Sequence, residues 1–160
     1  MLYYSLVYPY LIYCGLVWGK ASPTTLQKIV ILQKRVIRTI HLCKYREHTS
    51  PLFRSSNILP FCEMYTYLCS IFVFKCLKNL FPSDLNSVLN PFTFSLQSDN
   101  STRSSSDGKY VVPYARTKLR QNFVIIQSIK IYNDFILPLN LINQINTQMH
   151  FKKMLRNILL

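Results

Sequence analysis

Acidic residues are scarce in this chain: Asp and Glu number only six among 160 residues, against 19 Lys and Arg. No two of the six are adjacent or nearly adjacent, so the chain lacks the paired carboxylates that a two-metal catalytic site needs. The formal net charge of +13 predicts an anionic partner, either a nucleic acid or a membrane surface. The acids are Glu47, Glu63, Asp84, Asp99, Asp107 and Asp134.

Glycine is also scarce, and closely paired cysteines are missing. Only three glycines occur, which excludes a glycine-rich loop around phosphate, and no serine lies in a GxSxG turn. The five cysteines are odd in number and include no CxxC pair, so neither a disulfide framework nor a zinc ribbon is indicated. Cys62, Cys69 and Cys76 recur every seven residues and are expected to be small core residues. We therefore expect no catalytic activity, no metal and no cofactor in this chain.

Charge is absent from the first 19 residues, and two interpretations of this segment stay open. One is a membrane segment over residues 2–19, which would make the chain a small membrane-anchored basic protein. The other is a helix that packs against protein. Pro9 and five tyrosines in the segment favour the second interpretation, because a tyrosine hydroxyl needs a partner that lipid does not offer.

The remaining pattern predicts a mainly α-helical chain with a small β hairpin or short strands in the C-terminal third, an α+β fold. An apolar run predicts a buried helix over 60–80. A strand or hairpin is predicted within 111–132, where the apolar residues Leu119, Phe123 and Ile125 occupy alternate positions of the sequence. A last helix is predicted after Asn146 or Thr147.

A serine-rich segment divides the chain. Small polar residues replace the apolar pattern over 95–109, which is typical of a flexible linker. The sequence therefore predicts a helical part over 1–94 and a small mixed α/β part over 110–160.

The most informative stretch is 26–54, a basic amphipathic helix followed by a compact turn. One side of the helical wheel is apolar and carries Leu26, Ile29, Val30, Val36, Ile37 and Ile40. The opposite side is cationic and carries Lys28, Lys34, Arg35 and Arg38. Thr24 or Thr25 is predicted to cap this helix, and Ser50 is predicted to cap a short helix that follows the turn.

The order of residues in this stretch is Leu26-Gln27-Lys28, Leu32-Gln33-Lys34-Arg35 and Arg38, then Arg46-Glu47-His48-Thr49-Ser50-Pro51-Leu52-Phe53. In this order it resembles the C-terminal, post-thumb region of the reverse transcriptase of LINE-type (non-LTR) retrotransposons. The resemblance extends over nearly the whole chain. It includes Tyr8-Pro9-Tyr10-Leu11, Val17-Trp18-Gly19, residues 113–120, Ile131-Tyr132-Asn133 and Phe151-Lys152-Lys153.

The resemblance implies that the chain is a fragment of an RNA-directed DNA polymerase, read from a start downstream of the catalytic palm. It further implies a supporting role beside the polymerase palm and thumb, contact with RNA and/or DNA, and a location in the nucleus or cytoplasm. Lys and Arg neutralise phosphate groups, and exposed aromatic rings stack on unpaired bases. The cations expected to contact phosphate are Lys28, Lys34, Arg35, Arg38, Arg46, Arg116, Lys118, Arg120, Lys152, Lys153 and Arg156.

Overall fold

The computed structural model describes residues 2–85, 109–142, 145 and 147–160, and these residues are mainly α-helical as predicted. They fold as two units, Met1–Leu68 with Leu155–Leu160 and Cys69–Met154. The predicted linker 95–109 lies outside the described residues except for Lys109.

The uncharged N-terminal segment forms three short helices, α1 (Leu2–Leu6), α2 (Tyr8–Ile12) and α3 (Gly15–Trp18). Pro9 lies in the first turn of α2, where its missing N–H costs no helical hydrogen bond. Cys14 adopts a left-handed conformation with φ of 49°, which interrupts the helical path before α3. Within the described part of the chain, no helix is long and apolar enough to cross a membrane.

Two glycines hold α3 close to a later helix of the same unit. A Cβ atom added at Gly15 would meet the side chain of Leu68, and one added at Gly19 would overlap the ring of Tyr65. The neighbouring Trp18 ring stacks on Phe61 with the two centroids 5.4 Å apart. These contacts bring the backbone of α3 directly onto side chains of α6 (Phe61–Leu77).

The basic amphipathic helix is α4 (Pro23–Ile40), with 18 residues. It begins at Pro23 and not after Thr24 or Thr25, because proline is preorganised for the first turn of a helix. Ser22 occupies the cap position, and its hydroxyl lies 2.6 Å from the hydroxyl of Thr24. The prediction of the helix is confirmed, and its start differs by one or two residues.

A loop over 41–49 connects α4 to the short helix α5 (Ser50–Ser55), in which Ser50 is the first residue and Thr49 holds the cap position. Leu42 adopts φ of 51°, and the Cys43 amide donates a hydrogen bond of 3.0 Å to the carbonyl of Arg38. The chain therefore reverses directly at the end of α4.

Gln33 is the one polar residue on the buried side of α4, and three hydrogen bonds satisfy its amide. Its Nε2 donates to the Tyr3 hydroxyl at 2.8 Å and to the Leu59 carbonyl at 3.0 Å. Its Oε1 accepts the amide of Phe61 at 2.8 Å. Because the side chain is only 2 % exposed, these bonds link α1, the 58–60 connector and the start of α6 inside the unit. We call these four residues the Gln33 network.

Apolar packing surrounds this network. Ile37 of α4 is fully buried and belongs to a core cluster of the first unit. The buried residues of this cluster are Tyr3, Ile37, Phe53 and Ile58. It joins α1, α4, α5 and the residues after α5 into one core.

The second unit has an aromatic and aliphatic core. The ring of Phe74 in α6 stacks on Phe151 of α9 (Gln148–Leu159), with centroids 4.4 Å apart. Cys69 and Cys76 are buried as predicted, whereas Cys62 is exposed. Burial raises the pKa of the Cys76 thiol to about 11, so this cysteine stays uncharged at neutral pH and packs as an apolar residue.

The predicted strand or hairpin over 111–132 is wrong. The described residues there form α7 (Lys118–Gln121) and α8 (Val124–Ile131), and the π-helical turn Tyr132–Ile136 follows. Thr117 caps α7, because its hydroxyl accepts the amide of Arg120 at 3.4 Å. Residues 126–129 are all buried, so the burial pattern has no period of two.

Two side-chain amides bind the backbone of the residues before α7. The Asn133 side chain accepts the amide of Tyr110 at 2.9 Å and donates to the carbonyl of Tyr110 at 2.8 Å. Gln121 Nε2 donates to the carbonyl of Ala115 at 2.9 Å. The side-chain amides of Asn133 and Gln121 thus bind backbone groups of the residues that precede α7.

The last helix was predicted correctly. In α9, Phe151 and Leu155 are fully buried on one face, and Lys152 and Lys153 are exposed on the other. The cap position predicted at Asn146 lies outside the described residues.

Candidate nucleic-acid interface

The cationic side of α4 faces solvent. Lys28, Lys34 and Arg35 are exposed, and Arg38 is half-buried. Arg38 Nε donates a hydrogen bond of 2.9 Å to the backbone carbonyl of Glu47. This bond holds the loop 41–49 against the C-terminal end of α4 and fixes the orientation of the guanidinium group.

The same loop turns back on itself. The Glu47 carboxylate accepts the amide of Lys44 at 3.3 Å, and the Glu47 amide donates to the Lys44 carbonyl at 3.1 Å. Through this turn the ring of Tyr45 is presented next to α4. Tyr45 is 71 % exposed, and Arg46 is also exposed.

A pocket of about 530 Å³ lies between α4 and this loop. We call it the Arg–Tyr pocket. Its lining contains two guanidinium groups, a hydroxyl and an exposed aromatic ring, and no carboxylate. The lining residues are Arg35, Arg38, Thr39, Leu42, Cys43 and Tyr45. Guanidinium groups bind phosphate oxygens in a bidentate manner, and an exposed tyrosine ring offers a face for a base.

The thiol in this pocket is not prepared for nucleophilic chemistry. Partial desolvation raises the pKa of Cys43, and the Glu47 carboxylate raises it further, while Arg38 opposes the shift. Since the thiolate is the reactive form, a raised pKa leaves Cys43 as an inert part of the wall.

A second pocket, of about 280 Å³, lies where α4 and α5 meet. Lys34 and Arg54 supply its positive charge, Thr49 and Ser50 line it with hydroxyl groups, and Glu63 is the acidic residue in its wall. Arg54 was not among the predicted site residues. Its Nε donates to the carbonyl of Leu160 at 3.0 Å.

Arg156 was expected to contact phosphate, but its side chain is half-buried. Its guanidinium carbon lies 5.5 Å from the centroid of the Tyr4 ring. Its Nε is buried and has no hydrogen-bond partner among the residues that the structure describes. Burial raises the pKa of Tyr8 and of Tyr67, and the positive charge of Arg156 lowers both against that trend. Arg156 therefore packs in a tyrosine-rich environment instead of lying on an open surface.

The other predicted cations lie in the second unit, and all are exposed. Arg116, Lys118 and Arg120 surround the short helix α7, whereas Lys152 and Lys153 project from α9. Arg35 and Arg38 of the first unit share a pocket with an exposed aromatic ring, that of Tyr45.

The described part of the chain contains no candidate metal-binding cluster. No group of three or more His, Cys, Asp or Glu side chains there is arranged to hold a metal ion. His41 instead contacts the Ser56 hydroxyl and links the end of α4 to the end of α5.

Comparison with known proteins finds no family model, no curated protein and no solved structure that matches this chain.

Proposed function

We propose that the chain binds single-stranded nucleic acid through α4 and the loop 41–49, and that it is the post-thumb C-terminal region of a LINE-type reverse transcriptase. In this role it contributes binding surface to an RNA-directed DNA polymerase and performs no catalytic step itself. Lys28, Lys34, Arg35, Arg38 and Arg46 supply the positive charge.

The observation that carries the binding proposal is the Arg–Tyr pocket. Arg35 and Arg38 line it together with Tyr45, and no acidic side chain is part of its wall. Non-specific binding of single strands combines positive charge along the backbone with aromatic rings on which bases stack. The pocket offers both within one small volume, and the hydrogen bond from Arg38 to the Glu47 carbonyl holds it in shape.

The family assignment is supported by the order of its matching segments along the chain. Leu26 to Phe53, which carries the strongest resemblance, covers α4, the loop 41–49 and the start of α5. The genomic sequence directly 5′ of the first codon tests this origin. A reading frame there that encodes a palm with paired aspartates would support it, and an unrelated coding sequence would refute it.

Filter binding to single-stranded RNA at several salt concentrations tests the binding function. Affinity should fall steeply with salt, because each neutralised phosphate releases a counterion. Arg35→Gln combined with Arg38→Gln should lower the slope of log K against log salt by about 1.4, since each contact to a single strand contributes about 0.7.

The matched control is Lys78→Gln combined with Lys130→Gln, which removes the same charge from positions outside the pocket. Unfolding midpoints of both variants should equal that of the wild type. Equal loss of RNA affinity in the two double variants would show that only net charge matters and would end the proposal.

A further inference from the structure

An apolar groove runs between the N-terminal helices α1 and α2 and one face of α4. Two adjoining cavities of about 440 and 340 Å³ form it, and they share four lining residues. The shared residues are Leu6, Val7, Leu32 and Val36. The α4 wall extends from Ile29 to Ile40, which corresponds to about 16 Å along a helix axis.

Large apolar side chains are open to solvent in this groove. Leu6 is 62 % exposed and Leu32 is 57 % exposed, although both project toward the cavities. Tyr10 at one end is 80 % exposed, and Leu2 at the other end is 66 % exposed. Contiguous exposed apolar surface of this kind is typical of a binding site.

The charge around the groove has one sign only. Arg35 lines it directly, and Lys28 lies two turns earlier along the same edge of α4, with Leu32 between them. The opposite wall, made by α1 and α2, carries no charged side chain. The first acidic residue of the chain is Glu47, beyond the end of α4.

We propose that this groove binds an amphipathic helix of a partner protein, with apolar side chains in the groove and Asp or Glu side chains against Lys28 and Arg35. Helix-in-groove recognition uses apolar side chains at i, i+3, i+4 and i+7, which match a groove walled by helices. The cationic edge lies on one side of the groove, so the acids of the partner helix follow one edge of its apolar face. The apolar side chains of the groove lie outside the Arg–Tyr pocket, whereas Lys28 and Arg35 also belong to the proposed contact with nucleic acid, so the two ligands share these cations.

Two other occupants fit less well. A bilayer surface covers convex apolar residues, whereas here the apolar residues line a concave groove about three helical turns long. A second copy of this chain would bring a like-charged surface, and its acids are too scattered along the sequence to form an acidic helix edge.

The test measures fluorescence anisotropy of a labelled synthetic peptide with the wild-type chain. The peptide has about 18 residues, long enough for partial helix in solution, with Leu at i, i+3, i+4 and i+7 and Glu along one edge of that face. A second peptide carries Lys in place of each Glu. The Glu peptide should bind at least about tenfold more tightly than the Lys peptide.

Variants separate the groove from the rest of the surface. Leu6→Gln combined with Leu32→Gln should weaken binding of the Glu peptide about tenfold and leave binding of single-stranded RNA unchanged. Val17→Gln is the matched control, because Val17 is 74 % exposed and lies outside the groove. Lys28→Glu combined with Arg35→Glu should reverse the preference between the two peptides.

Four results would overturn the proposal. They are equal affinity for both peptides, no effect of the Leu6 and Leu32 changes, displacement of the Glu peptide by phosphatidylserine vesicles, and a dimer in sedimentation experiments that these two changes dissociate. The unfolding midpoint of the double Gln variant should equal that of the wild type, since both leucines are exposed.

Discussion

The two sides of α4 differ in what they do for the protein. On the buried side, Gln33 and Ile37 are 2 % and 0 % exposed and connect α4 to α1, α5 and α6. On the open side, Arg35 and Arg38 line a pocket with Tyr45. Stability and the proposed ligand binding therefore depend on different side chains of one helix. Substitutions on the buried side should leave ligand binding intact, and substitutions on the open side should leave stability intact.

The largest expected effect belongs to Gln33→Leu on the buried side. Leucine would leave the Tyr3 hydroxyl, the Leu59 carbonyl and the Phe61 amide without partners. We expect a loss of about 3 to 6 kcal/mol in the free energy of unfolding, since each unsatisfied buried group costs about 1 to 3 kcal/mol. Urea denaturation measures it. Gln27→Leu, at an exposed position of α4, should stay within about 0.5 kcal/mol of the wild type.

Ile37→Ala should destabilise the protein by about 2 to 5 kcal/mol through a cavity in the core of the first unit. The control is Ile31→Ala on the same helix, where the side chain is 43 % exposed. The test measures denaturation curves of both variants, and then their RNA binding under conditions in which both are fully folded. If Ile37→Ala weakens RNA binding while folded, the two sides of α4 are not independent.

Tyr45→Ala probes the open side. Loss of a stacking ring should weaken binding of single-stranded RNA by about 1 to 3 kcal/mol, with no change in the unfolding midpoint. Tyr13→Ala removes a ring that is 76 % exposed and lies outside the Arg–Tyr pocket, and it should leave affinity unchanged. Equal affinity of the Tyr45→Ala variant and the wild type would remove stacking from the binding mechanism.

The smallest expected effect concerns pH. Burial raises the pKa of Tyr3 above 10.0, although the hydrogen bond from Gln33 lowers it. A raised pKa in the folded state contributes stability that is complete below the unfolded pKa and is lost as pH rises through the folded one. Stability should therefore decline above about pH 10. Tyr3→Phe should cost about 1 kcal/mol at pH 8 and decline less at alkaline pH.

Chemical denaturation of the wild type and of Tyr3→Phe at pH 8 and at pH 10.5 measures this difference. Tyr13→Phe serves as the control, because Tyr13 is exposed. A parallel decline in all three proteins would assign the alkaline effect to other groups.

Helical periodicity predicted much of the first unit. Basic and apolar residues of α4 separate at a period of 3.6. The helix α6 was also predicted, from the length and apolar character of its sequence. In contrast, 124–131 has only eight residues and is rich in β-branched isoleucine, so the sequence did not distinguish a buried helix from a strand.

The site was predicted in part for a related reason. A helical wheel places Arg35 and Arg38 on the solvent side, but it does not show that the loop 41–49 returns to make a pocket with them. Arg54 was missed because a single cation on a six-residue helix has no pattern around it. Packing against Tyr4 removes Arg156 from the open surface, and such tertiary contacts are not encoded in local periodicity.

Because of Gly15 and Gly19, some positions of α3 should tolerate substitution much less than others. Any residue with a Cβ at either position meets Leu68 or Tyr65, whereas Val17 between them points outward. A saturation library of residues 15–19 should consequently lose nearly every variant at residue 19, where the Tyr65 ring and the Gly15 carbonyl leave no room. It should lose mainly large residues at 15, where the end of the Leu68 side chain can move, and retain most polar variants at 17. The positions that tolerate the fewest substitutions in such a library would identify the side of α3 that contacts α6.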